Sequence, residues 1–218
     1  MQVTRASSEL QCDECCLNAP GTNYAYSNFG YSILGRVIEK LTGQPYADAV
    51  KSLILAPAGI SAMRIGGNTL AERMPNEVMY TGQGASPYAF NLARMDAHGG
   101  WIASAVDLAK FLVRVDGGAV KTDLLSPGAL AAMGTASPTN TGYARGWSTN
   151  GPNWWHTGGL PGTGAEMGRI TSHGRYNFVI LTNSQAAGNF SADLDKLFWD
   201  ARTATTRWPA YDLFAAFP

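Results

Sequence analysis

Trp154-Trp155-His156-Thr157-Gly158-Gly159-Leu160-Pro161-Gly162 puts an imidazole, a hydroxyl and three glycines within seven residues, directly after two large aromatics. Glycines so placed leave a backbone bare, so that something else can come close to it. Downstream, residues 165–171 and 176–182 alternate with a period of two and read as strands, joined by a hairpin at Ser172-His173-Gly174-Arg175. Upstream, residues 143–149 and 153–157 read the same way. The stretch therefore sits inside an antiparallel sheet, and a closing helix over about 189–201, with Leu194, Leu197 and Phe198 on one face, is expected to cover it.

The first half of the chain has the other periodicity. Phe29, Ile33, Leu34, Val37, Ile38 and Leu41 recur at helical spacing, Ser27 or Asn28 can cap the start, and Gly43 stands where a left-handed residue ends a helix. Burial of those six side chains is expected, and would contribute on the order of 10 kcal/mol before conformational entropy is subtracted. Pro45 opens a second helical stretch that Pro57 and Gly59 stop near Leu55. Residues 61–97 are rich in glycine and proline with little period, which marks a functional loop, a site wall, or short strands without a signature. Ser104 with Asp107 forms a capping-box pattern ahead of Leu108, Phe111, Leu112 and Val115, and Ser126-Pro127 starts a further short helix. Helices first and an antiparallel sheet later give an α+β class. The expected organisation is an irregular lead-in over 1–25, a domain over 26–201 with its helical part at about 26–135 and its sheet part at about 142–201, and a tail over 202–218.

Composition narrows the function. With 218 residues and 45% hydrophobic content a substantial core can form. Lys plus Arg and Asp plus Glu both number 16, so no basic stripe points to a nucleic-acid partner. The order of residues at the start is not that of a signal peptide, and the sequence names no compartment. Cys12, Cys15 and Cys16 lack a fourth ligand at zinc spacing and read as loop thiols, so neither a metal nor another cofactor is expected.

Three local sequences carry the chemistry: Tyr26-Ser27-Asn28 at the start of the strong helix, His98-Gly99-Gly100-Trp101 just before the Ser104 helix, and His156-Thr157-Gly158-Gly159. Each has a plain alternative. Ser27 and Asn28 can be helix caps, Tyr26 a residue stapling the helix entry, His98 a packing residue, and Trp147, Trp154 and Trp155 core aromatics. Taken in order, with Gly30-Tyr31-Ser32-Ile33-Leu34-Gly35 and Ile38-Glu39-Lys40-Leu41-Thr42-Gly43, they resemble the superfamily of serine β-lactamases, penicillin-binding proteins and esterases, in its class C-like branch. The resemblance covers residues 20–201.

That resemblance implies a β-lactamase/transpeptidase-like fold and an acyl-transfer site with three motifs, Ser-x-x-Lys, Tyr-x-Asn and Lys/His-Thr-Gly. It implies that Tyr26 shares the proton transfer, that Asn28 donates to the substrate amide or to the lysine, and that His156 stands where many relatives have lysine. Thr157, Gly158 and Gly159 become a bare strand edge for the substrate with one oxyanion donor, and Trp155 adjoins it. The ligand implied is a small ester, amide or β-lactam-like compound. One motif is absent: no serine in the 218 residues is followed three positions later by lysine. The 25 residues before Tyr26 are too few for the elements that carry it in relatives, so the chain alone is expected to be inactive. An N-terminal complementing segment, a non-catalytic ligand-binding remnant and a truncated frame that self-associates as a homo-oligomer all follow as expectations.

Overall fold

The computed structural model describes residues 18–81, 86–186, 188–208 and 210–217; the cysteine cluster and most of the lead-in lie outside the described residues. Ser27, with extended backbone, accepts a hydrogen bond from the Gly30 N–H at 2.9 Å and starts α1 (Asn28–Thr42). Gly43 ends it at φ 68°, in the left-handed region. Pro45 then precedes α2 (Tyr46–Val50), which runs on as a π-helical turn over Lys51–Leu55. A two-residue strand β1 (Arg64–Ile65) pairs antiparallel with β2 (Trp101–Ile102). Between them the glycine-rich stretch is mostly irregular. It is pinned by the buried Glu77 carboxylate, which accepts from the Tyr80 and Tyr88 hydroxyls at 2.9 and 3.0 Å.

The Ser104 box forms as expected at the head of α3 (Ala105–Val113), and Ser126 caps α4 (Pro127–Gly134). The sheet has the order β3 (Ser148–Thr149), β4 (Trp154–Leu160), β5 (Thr163–Ile170) and β6 (Tyr176–Thr182), all antiparallel. Helix α5 (Phe190–Ala204) lies on one face, where Phe198 stacks on Phe178 at 4.0 Å between ring centroids. A short α6 (Leu213–Ala216) follows. The other face packs on α3: Leu112, Trp147 and Trp154 form one core cluster, and Leu55, Ala58 and Ile60 form another. Phe111 touches both, so α3 joins the helical half to the sheet.

Two expectations need correction. The apolar stripe of α1 is not buried: Ile33, Leu34, Val37 and Leu41 are exposed, Leu41 by 80%, and Gly35 is the buried residue of the helix. Amphipathic spacing sets which residues share a face, but whether that face is covered depends on a partner element, and none of the described residues supplies one. The strand expected over residues 143–149 shrinks to Ser148–Thr149. Gly146 at φ 81° bends the chain there, leaving Tyr143 in a single bridge to Ser148.

Candidate active site

The sequence elements that start α1 and β4 meet across a cavity of about 310 Å³. Tyr26, Asn28 and Tyr31 line it from the first, and His156, Thr157 and Gly158 from the second; Leu108, Met167 and Leu181 supply an apolar floor, and Tyr143 and His98 complete the wall. The Tyr26 and His156 rings are 6.5 Å apart between centroids. Tyr26 is well exposed at 58%, whereas His156 is half-buried. Beyond Trp155, β4 pairs with β5 alone, because β3 reaches only Trp154 and Trp155. Among the described residues the outer edge of residues 156–160 is thus without a strand and open to an extended ligand.

Each expected site residue can now be placed. Tyr26, Asn28, His156, Thr157 and Gly158 all border the cavity, Thr157 with its side chain turned to the opposite face of the strand from His156. Gly159 lies one step further along the same strand, outside that wall, where an added Cβ would meet the Gln185 amide nitrogen at 2.8 Å. Trp155 does not face the cavity. Side chains alternate along a strand, so the neighbour of an inward His156 points to the opposite face. There the Trp155 Cβ lies beside Gly168, on the side covered by α5. Ser27 is engaged in capping α1, as its plain reading had it.

Two groups, Tyr143 and Glu166, had no signal in the sequence, while His98 had been singled out there. The Tyr143 hydroxyl lies 2.9 Å from His156 Nε2, while His156 Nδ1 lies 2.6 Å from the Thr157 carbonyl oxygen. Burial pushes the Tyr143 and Tyr31 hydroxyls up from their ordinary value, so both stay protonated at neutral pH. His98 Nδ1 is 2.7 Å from the Ser32 hydroxyl of α1. Glu166, beneath Thr157 on β5, is 2% exposed with no hydrogen-bond partner for Oε2. Burial, with Asp195 of α5 adding to it, raises its carboxyl to about 7. Glu166 borders the cavity, but period-two alternation sends its side chain to the α5 face. No His, Cys, Asp and Glu cluster among the described residues could hold a metal.

The Beta-lactamase family model matches residues 7–201. A penicillin-binding protein 4 of Amycolatopsis lactamdurans is 28% identical over 195 residues, covering 80% of this chain and 51% of that protein. An unguisins hydrolase of Aspergillus campestris is also 28% identical, over 79% of this chain and 35% of its own length. The crystal structure of D-amino acid amidase from Ochrobactrum anthropi, complexed with L-phenylalanine amide, superposes with a TM-score of 0.62 at 22% identity, covering 86% of this chain and 59% of that one. The chain spans about a third to a half of the length of the curated relatives it matches.

Proposed function

The chain belongs to the β-lactamase family, and from that membership we propose that its cavity is the proton-handling and strand-edge part of an acyl-transfer site for small ester, amide or β-lactam-like compounds. One observation carries the reading: Tyr26 and Asn28 converge with His156, Thr157 and Gly158 on a single cavity, although the two groups lie far apart in sequence. In this reading the Tyr26 hydroxyl accepts the proton of the attacking serine hydroxyl as its own proton passes to the lysine that accompanies that serine, and the relay runs in reverse toward the leaving group. The Asn28 amide donates to the substrate carbonyl. The open edge of β4 receives the acyl portion, with a backbone N–H near Gly159 for the developing oxyanion.

The attacking group is the missing part. Ser27 is engaged as a helix cap and Ser32 is paired with His98, and no serine has lysine three positions on. Attack therefore requires a serine from polypeptide beyond these 218 residues. The same absence favours a second reading, in which the cavity binds such ligands without turning them over.

Intact-mass measurement after incubation with a fluorophosphonate or with benzylpenicillin separates the two. No adduct with the chain alone, and a stoichiometric adduct on an added segment containing Ser-x-x-Lys, supports the acyl-transfer reading. Ligand binding with no adduct on either supports binding without turnover. An adduct on the chain alone would overturn both accounts of the nucleophile.

A further inference from the structure

Two histidines line the cavity, and their nitrogens are engaged differently. His98 has a partner at Nδ1 alone among the described residues, the Ser32 hydroxyl. His156 is engaged at both nitrogens. A backbone carbonyl can only accept a hydrogen bond, so at 2.6 Å from the Thr157 oxygen the His156 Nδ1 must carry a proton. In a neutral imidazole Nε2 is then an acceptor, and the hydroxyl 2.9 Å from it, that of Tyr143, is the donor.

No carboxylate lies within ion-pair distance of His156 among the described residues; the nearest acidic side chain in the sheet, Glu166, is on the opposite face. The rings of Tyr26 and Tyr143 stand 6.5 and 5.9 Å from the imidazole, and Met167 pairs with it across the ladder.

The position of the Tyr143 hydroxyl is set by the backbone and does not depend on chance side-chain packing. Its carbonyl accepts from the Ser137 N–H at 2.8 Å and its own N–H donates to the Asn140 carbonyl at 3.1 Å. The bridge from Tyr143 to Ser148 and the ladder pair Ser148 to Trp155 then fix it against β4, one residue from His156. Gly146 permits this: its φ is 81°, and a side chain there would press on the Tyr31 hydroxyl, 3.3 Å from the Cβ position.

We propose that Tyr143 is a positioning residue that donates to His156 Nε2 and holds the ring as the neutral Nδ1–H tautomer. His156 then offers a ligand no free nitrogen. Its part is to stiffen the start of the open strand edge. Among the described residues, the imidazole nitrogen in the cavity left for a ligand is Nε2 of His98. The inference uses the acyl-transfer reading only for its purpose, and its test reads a tautomer, so either can fail without the other.

The test is a long-range proton–nitrogen spectrum of the whole 218-residue chain labelled at histidine, recorded at about pH 8, where an ordinary imidazole is neutral. Assignment follows from His98→Gln and His173→Gln. The expected result is a protonated Nδ1 and an unprotonated, hydrogen-bonded Nε2 for His156. An Nε2–H tautomer, or protons on both nitrogens, overturns the proposal. In Tyr143→Phe the Nε2 resonance is expected to move toward that of an unbonded imine nitrogen, and an unmoved resonance also overturns it. Should that variant fail to fold, 3-fluorotyrosine at position 143 provides the same test. Its more acidic hydroxyl shifts Nε2 further in the hydrogen-bonded direction, which a purely packing role would not do.

Discussion

Replacing Glu166 by glutamine isolates one buried charge. The carboxyl lies between the sheet and α5, 2% exposed, with Oε2 unpartnered and Asp195 adding repulsion. Its proton affinity rises from 4.5 to about 7, so the folded protein holds the proton more tightly than the unfolded chain does. Stability is therefore full below about pH 4.5 and falls as pH rises, with the loss complete above about pH 7. At 1.36 kcal/mol per pKa unit the whole excursion is about 3 kcal/mol. Glu166→Gln cannot ionise. Its amide also lacks a partner, which sets an offset from the wild type at low pH, but that offset does not vary with pH. The variant minus wild-type difference is thus expected to swing in favour of the variant by about 3 kcal/mol between pH 4 and pH 8. For a chain of this size that corresponds to a relative gain of about 6–12 °C in melting temperature. Urea midpoints measured across that range provide the assay. A difference that stays flat with pH would show that Glu166 is solvated or paired in the folded state, and the reasoning from its burial would be wrong.

Other outcomes follow from single contacts. Tyr26→Phe is expected to leave stability within about 0.5 kcal/mol, since the residue is well exposed. In the presence of a Ser-x-x-Lys segment it should slow acylation by about 10²–10⁴-fold, and an undiminished rate would remove Tyr26 from the proton transfer. Ser104→Ala breaks the capping box of α3 and should cost about 1 kcal/mol, seen as a lower urea midpoint. At Gly134 an added Cβ would fall 1.9 Å from the buried Trp154 ring, so Gly134→Ala should cost about 1–3 kcal/mol by overpacking; an unchanged melt would mean that Trp154 repacks freely. The exposed stripe of α1 should make the chain self-associate, and the pair Ile33→Lys with Leu41→Lys should reduce that in light scattering. A monodisperse wild-type monomer would contradict this.

Much of the site was legible because short-range chemistry carries its own signal. Ser27, Ser104 and Ser126 announce helix starts by offering an oxygen to orphan N–H groups, and Gly43 ends a helix by accepting a left-handed turn. Trp155 was expected beside the substrate edge, but neighbours on a strand take opposite faces, and it points away from the cavity. Tyr143 was not legible. It lies 13 residues from His156 on a segment that alternates like a strand, and nothing local tells that Gly146 turns it back onto the ring.

Residue order alone determined the α+β class, the sequence of helices and strands, and the pair of motifs that resemble an acyl-transfer site, because period, capping and glycine placement act within a few residues of one another. Only the tertiary structure decided that the α1 stripe stays exposed, that Glu166 is buried without a partner for Oε2, and that His156 is engaged at both nitrogens. Each of these depends on what lies across a gap from the residue, and that is set by how α3, the sheet and α5 pack, which no local pattern encodes.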